Sequence, residues 1–175
     1  AGLGCFAVQM GELKLGAVVA VNAIGDIYDY QTGRKLAGLL SEDRKGFRDT
    51  ETELYRGYCR QTAGFASNTT IGAVITNAEF DKSKLKKIAA MAQNGYARSI
   101  RPVHTGMDGD SIYALSAGSP AGVGEAAAAI TANIDVVGTL AATVMAEAVK
   151  MAVLSANSLF GCPSAEEMAQ EASKR

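Results

Sequence analysis

A hydroxyl placed where loop turns into sheet is well positioned for a nucleophile, and the stretch Ser67-Asn68-Thr69-Thr70-Ile71-Gly72-Ala73-Val74-Ile75-Thr76 puts threonines at that junction. A threonine hydroxyl is weak at neutral pH and needs a base. One solution is to cut the chain before the threonine, so that its own new amine takes the proton. An α-amine titrates at roughly 7.7–8, near neutrality, whereas a lysine titrates at roughly 10.4. The plain alternative is that Thr69 and Thr70 are ordinary β-formers opening a half-buried strand. Two other stretches bear on the choice. Asp108-Gly109-Asp110 precedes the strand-like run Ser111-Ile112-Tyr113-Ala114-Leu115-Ser116 and brings two carboxylates to one strand mouth, where like charges can push pKa values apart. Asn22 interrupts the apolar segment Val19 to Gly25. It is either a turn residue beside Gly25 or an amide whose N–H is aimed at a developing oxyanion.

The elements that must hold these residues follow from pattern. Gly4 to Met10 and Leu13 to Asn22 are apolar runs separated by Gly11-Glu12, which predicts two strands joined by a tight turn. From Leu39 to Ala66 the pattern becomes charged and mixed, so residues 39–68 are expected to form a surface linker with a short helix, ending at Asn68-Thr69. Beyond the strand that follows Thr69, Asp81 or Ser83 can cap a helix carrying Leu85, Ile88, Ala89 and Ala92 on one face, with Lys82, Lys84, Lys86 and Lys87 as its solvated side. His104 is the single histidine, so a triad or metal site built on histidine would depend on it alone; a structural role is the simpler expectation.

Ile130, Ile134, Val137, Leu140 or Ala141, Val144, Ala148 and Met151 recur at helical spacing between Gly124 and Ala156, with Gly138 a point at which the helix could divide. The many alanines there suit close packing on a sheet or a second helix. Gly118 to Gly124 lacks a phosphate-loop spacing or its lysine and reads as a turn. Residues 157–175 form a C-terminal tail, with Gly161-Cys162-Pro163 as a helix break and Ser164 as the start of a short polar helix.

The 175 residues suit one domain. With 17 Lys and Arg against 18 Asp and Glu, the formal net charge of -1 offers no field for a phosphate backbone, and a nucleic-acid partner is not expected. Cys5, Cys59 and Cys162 lack CxxC spacing, so neither a zinc site nor a disulfide framework is expected. The longest apolar-rich stretch is broken by Asn133, Asp135, Glu147 and Lys150, which argues against a membrane partner; the expected location is cytoplasmic. Ala1-Gly2-Leu3-Gly4-Cys5 reads as a strand entered in mid-course, so the single domain 1–175 is expected to be a fragment of a longer one.

Three stretches together carry a resemblance: Gly16-Ala17-Val18-Val19-Ala20-Val21-Asn22-Ala23-Ile24-Gly25-Asp26, then Asn68-Thr69-Thr70-Ile71-Gly72, then Arg98-Ser99-Ile100-Arg101-Pro102-Val103-His104-Thr105 followed by Asp108-Gly109-Asp110. In that order they resemble the self-processing hydrolases that include the L-aminopeptidase D-amidase/esterase, the β-peptidyl aminopeptidases and the nylon-oligomer endo-hydrolase. The resemblance implies an α+β fold, the αββα sandwich of N-terminal nucleophile hydrolases, incomplete in this chain. It implies a precursor cut between Asn68 and Thr69, Thr69 as nucleophile with its freed amine as base, Asn22 in the oxyanion hole, and Asp108 and Asp110 orienting the nucleophile and its amine. Threonine with Asp-Gly-Asp matches the nylon-oligomer branch; other branches place serine at the nucleophile and a Ser and a Glu at the acidic pair. That branch also carries a lysine beside the nucleophile, supplied by an N-terminal half, and Lys14 does not have its context.

The expected activity is hydrolysis of a small peptide or other linear amide through a threonyl acyl-enzyme, with no cofactor needed. Two alternatives stand beside it. One is a related self-processing acyltransferase; the other is a non-catalytic half that needs a partner chain. The expected partners beyond substrate are a homo-oligomer or a complementary N-terminal segment.

Overall fold

The structure, a computed structural model, describes residues 2–60, 68–117 and 130–174. The expected opening hairpin is present: β1 (Gly2–Met10) and β2 (Leu13–Val21) pair antiparallel with Gly2 opposite Val21 and Met10 opposite Leu13. Residues alternate along β2, with Leu13, Leu15, Ala17, Val19 and Val21 buried. One face of the sheet therefore builds the core. A small second sheet is formed by β3 (Asp26–Tyr28), β4 (Lys35–Ala37) and, later in the chain, β6 (Ile100–Arg101), in the order β4-β3-β6.

Helix α1 (Thr50–Arg60) lies in the segment predicted as linker. The part before it is tied down from below. The Asp26 carboxylate is buried and accepts from Lys35 Nζ at 2.6 Å, Leu39 N at 3.0 Å, Thr50 N at 3.0 Å and Thr50 Oγ1 at 2.7 Å. One carboxylate thus gathers β4, the loop after it and the start of α1, and a buried charge is tolerated because every donor is aimed at it.

The strand expected after Thr69 is β5 (Ile71–Thr76), antiparallel to β2. It is followed by α2 (Lys82–Ser99), capped by Asp81, whose side chain accepts from Lys84 N at 2.9 Å. Ile88, Ala92, Gly95, Tyr96 and Ser99 face inward, and the four lysines near its start are exposed. The chain then returns as β7 (Ser111–Ser116), parallel to β5, so that the main sheet runs β1-β2-β5-β7. A parallel pair needs a crossover, and α2 supplies it.

Helix α3 (Ile134–Leu154) begins at the Asn133 cap and packs against α2, β1 and β2. Residues 118–129, with the turn expected at 118–124, lie outside the described residues; residues 130–133 were expected in the helix but precede it, Ile130 bridging Ala78 instead. Gly138 does not divide the helix. It sits inside it, where a Cβ would come 2.3 Å from Met91 Sδ, so its bareness lets α2 approach. The small residues of β1 do the same on the other side: a Cβ at Gly4 would lie 2.1 Å from the Ala148 carbonyl oxygen. By length and mean hydropathy α3 could cross a membrane, but 61% of its most apolar stretch is buried within this fold, which accounts for its composition. The chain ends in α4 (Ala165–Ala172), capped by Ser164 as expected.

Both helices α2 and α3 lie on one face of the main sheet. The opposite face carries Leu3, Val18, Ile71, Ile75, Tyr113 and Leu115, all exposed. Among the described residues no element covers it. One helical layer and one large sheet are what an incomplete αββα sandwich presents.

Candidate active site

Three strand ends meet where the sequence places its chemistry. Asn22 follows the last residue of β2, Asn68 to Thr70 lead into β5, and Asp108 to Asp110 lead into β7. Because β2, β5 and β7 are hydrogen-bonded in that order, residues far apart in sequence become neighbours.

Thr69 stands at the centre. Its backbone N–H donates to the Asn22 carbonyl at 3.0 Å, and its Oγ1 donates to the carbonyl oxygen of Asn68, the residue before it. That same Asn68 oxygen accepts the backbone N–H of Gly109 at 2.9 Å, while Asn68 N donates to Met107 O at 3.0 Å. The Asn68-Thr69 peptide is thus clamped from both sides. Gly109 is bare where it faces Thr69, since a Cβ there would lie 2.8 Å from Oγ1.

The two carboxylates have separate partners. Asp110 accepts the Thr70 N–H on Oδ1 at 2.9 Å, and its Oδ2 lies 3.6 Å from His104 Nδ1. Its side chain is 3% exposed, on the helix side of the sheet. It holds the backbone that carries Thr69 without touching the hydroxyl. Asp108 accepts from Thr105 Oγ1 at 2.8 Å and from Ile24 N at 3.4 Å, linking the β7 mouth to the segment after Asn22. Tyr96, wholly buried, is pushed up in pKa by burial and then by the charge of Asp110, so its hydroxyl stays protonated. The Asn22 side chain is exposed, and its amide makes no hydrogen bond within the described residues, which leaves it available to a ligand. Lys14 lies at the far end of β2 from Asn22, eight residues away or roughly 26 Å along a strand, and does not reach the site.

A cavity of about 420 Å³ opens beside Asn22 and Asn68. Its walls come from β3, β4 and the loop after it, and from Cys162 to Met168 near the C-terminus. Among the described residues no three His, Cys, Asp or Glu side chains converge on a point that could hold a metal ion.

Sequence reasoning singled out Thr69, Asn22, Asp108 and Asp110, and the structure brings all four to one place. It missed Gly109, Thr105 and the cavity walls. Gly109 had a signal, being the one residue between the paired carboxylates; Thr105 and the walls are set by folding and had none.

The sequence profile of peptidase family S58 matches residues 2–166. The chain belongs to peptidase family S58. Among its relatives, an uncharacterised aminopeptidase of Mycobacterium leprae is 38% identical over 156 residues, covering 85% of this chain and 42% of that protein. The 6-aminohexanoate-oligomer endohydrolase of Agromyces sp. is 28% identical over 153 residues, covering 85% of this chain and 43% of that enzyme. This S58 chain therefore spans less than half the length of these two relatives. The L-aminopeptidase D-Ala-esterase/amidase of Ochrobactrum anthropi, described as a variant of the Ntn-hydrolase fold, superposes with a TM-score of 0.57 at 18% identity, covering 99% of this chain and 47% of that one. A Burkholderia sp. β-aminopeptidase superposes with a TM-score of 0.54 at 15% identity, over 99% of this chain and 49% of its own. The fold is that of Ntn-hydrolase aminopeptidases, and the family is one of amide-bond hydrolases.

Proposed function

We propose that this S58 chain carries the nucleophile and oxyanion donor of an amide-bond hydrolase, and that Thr69 is exposed as an N-terminal nucleophile by cleavage of the Asn68-Thr69 bond. The observation that carries this reading is the clamp on that bond. Thr69 Oγ1 is hydrogen-bonded to the Asn68 carbonyl while Gly109 N–H holds the same oxygen at 2.9 Å. A donor already seated on the carbonyl stabilises the negative charge that grows when a nucleophile adds.

In self-cleavage, Oγ1 adds to the Asn68 carbonyl carbon, its proton passes to the Thr69 nitrogen, the C–N bond breaks, and the acyl group moves to oxygen as an ester. Water then hydrolyses the ester, leaving an Asn68 carboxylate and a Thr69 with a free amine and a free hydroxyl. The nitrogen that becomes this amine is the one held by the Asn22 carbonyl. In turnover the amine takes the hydroxyl proton, Oγ1 attacks the substrate carbonyl, the product amine leaves with a proton, and water releases the acid. Asn22, whose carbonyl already holds the Thr69 nitrogen, offers an uncommitted side-chain amide to the substrate oxyanion; Asp110 ties the β5 mouth to β7, and Asp108 ties the β7 mouth to the segment after Asn22. The test is turnover of amino-acid p-nitroanilides and 6-aminohexanoate oligomers by the protein and its Thr69→Ala variant. Activity that survives the substitution removes the assignment.

A second reading concerns completeness. The exposed apolar sheet face, Leu3, Val18, Ile71, Ile75, Tyr113 and Leu115, supports a working enzyme in which further sheet covers it. The cover is supplied by more polypeptide of the kind its longer relatives possess, or by a second copy. A monodisperse, inert monomer by light scattering that binds no apolar dye would count against this.

A further inference from the structure

We infer that the cavity beside Asn68 receives the acyl part of the substrate and selects an uncharged, apolar acyl side chain larger than a methyl group. The inference rests on the proposed function, since it takes Thr69 as the nucleophile.

The first step is direction. Asn68 is the acyl-side residue of the bond that Thr69 would cut in its own chain, and it lines this cavity together with Asn22. One nucleophile attacks both carbonyl carbons, so the acyl part of a substrate occupies the side that Asn68 occupies before cleavage. The cavity therefore lies on the acyl side and not on the side of the departing amine.

The second step is chemistry. The apolar walls include Ile24, Leu36, Leu39, Leu40, Phe47 and Met168, and among the described residues no Asp, Glu, Lys, Arg or His lines the cavity. The hydroxyl of Thr50, which does, is already spent on Asp26 at 2.7 Å. A charged acyl side chain would lose its water among these walls and meet no opposite charge, a cost of several kcal/mol. An aliphatic or aromatic one would exchange water for apolar contact. The volume of about 420 Å³ falls within the range of roughly 300–1,000 Å³ typical of small-molecule sites, and is ample for a leucine or phenylalanine side chain or an unbranched methylene chain.

The third step is which residues set the preference. One wall is the segment from Cys162 to Met168, the other is the loop held by Asp26. Ala165 faces the cavity from the first and Leu40 from the second. Enlarging Ala165 should shorten the cavity, and trimming Leu40 should lengthen it.

The experiment compares kcat/KM for alanine, leucine, phenylalanine, aspartate and lysine p-nitroanilides in the complete protein and in Ala165→Phe and Leu40→Ala. Leucine and phenylalanine are expected to exceed alanine, and aspartate and lysine to be poorest. Ala165→Phe should lower the leucine-to-alanine ratio by about tenfold, the scale of a lost methylene contact, and Leu40→Ala should raise the phenylalanine-to-leucine ratio. Ratios are unaffected by the fraction of protein that is folded, so each variant is informative even if the other is poorly soluble. Ratios unchanged in both variants, or a preference for a charged acyl group, overturn the inference while leaving the hydrolase reading in place. No amide turnover by the unsubstituted protein overturns that reading, and the inference falls with it.

Discussion

The backbone nitrogen of Thr69 is hydrogen-bonded to the main-chain carbonyl of Asn22 at 3.0 Å. If the Asn68-Thr69 bond is cut, this nitrogen becomes an α-amine already fixed by a neighbour, beside its own hydroxyl. Thr69→Ser keeps both groups and should retain cleavage and turnover. Thr69→Ala should lose both, by a factor comparable to losing the nucleophile in other acyl-transfer enzymes, 10³-fold or more on the order of magnitude. Asn22→Ala should fold and lower kcat by roughly 10²–10³, as expected for one oxyanion donor. Rates of p-nitroanilide release, with cleavage followed on denaturing gels, decide all three; an unaffected kcat in Asn22→Ala would remove it from the oxyanion role.

Gly109 is expected to matter through its nitrogen and its missing Cβ. Gly109→Pro deletes the N–H that holds the Asn68 carbonyl and should slow self-cleavage by two orders of magnitude or about that. Gly109→Ala keeps the N–H but brings a Cβ to 2.8 Å from Thr69 Oγ1, so the hydroxyl must turn and cleavage should slow less. Equal cleavage rates in the two variants and the parent, measured as loss of full-length chain with time, would contradict this.

Asp26 should be a stability residue with a functional consequence. It binds four donors from β4, the following loop and Thr50, so Asp26→Ala leaves two N–H groups and the Thr50 hydroxyl without this acceptor and takes the counter-charge from the Lys35 ammonium, which keeps the Arg48 carbonyl. Removing one partner of such a buried pair costs about 3–5 kcal/mol. Chemical denaturation should show a loss of that size. A change below about 1 kcal/mol would mean that the loop is held by other contacts.

Tight packing of β1 on α3 predicts a second stability effect. The Cβ of Gly4→Ala would meet the Ala148 carbonyl oxygen at 2.1 Å, a backbone atom that cannot swing aside, and relief requires the helix to move. A cost of about 1–3 kcal/mol follows, read as a lowered Tm. Gly11→Ala is no control, because its positive φ adds strain; Ala7→Ser, on the open face, should be nearly neutral.

Lys150 lies 3.2 Å from Asp29. Burial pushes the Asp29 carboxyl up, but the Gln31 N–H and the Lys150 ammonium outweigh it, so Asp29 titrates below its ordinary value. The hydrogen bond that Lys150 donates to Asp29 raises the lysine above its own. The depressed carboxyl contributes stability above its unfolded pKa of roughly 3.9, lost as pH falls through the lower folded value. The raised ammonium contributes below roughly 10.4, lost as pH rises through the higher folded value. The Tm difference between the parent and Lys150→Met should hold near neutrality and shrink toward both extremes. A difference that stays constant into strong acid would show that it comes from packing of the lysine stem.

How much of this was legible in the sequence depended on range. The β1–β2 hairpin, the Asp81 and Ser164 caps and the β5 and β7 strands were readable because period-two alternation, Gly11-Glu12 and capping side chains act over a few residues. The four site residues were readable as types at strand mouths, and the family resemblance ordered them. What could not be read was their division of labour. That Asp110 grips the Thr70 backbone on the helix side while Asp108 reaches Ile24 depends on the parallel register of β5 and β7, which no local pattern encodes. Gly138 misled as a divider because its role is set by Met91 on another helix. The gathering of Lys35, Leu39 and Thr50 on Asp26 is equally non-local, so residues 39–60 read as a surface linker with a short helix although part of them walls the cavity.

The most direct test of Thr69 as a self-exposed nucleophile is the intact mass of the purified protein under denaturing conditions, alongside Thr69→Ala. Two masses that sum to the full chain plus one water, divided between Asn68 and Thr69, with a single uncut mass for Thr69→Ala, are the predicted result. A single full-length mass in a preparation that hydrolyses amides, or cleavage at that bond in Thr69→Ala, would contradict it.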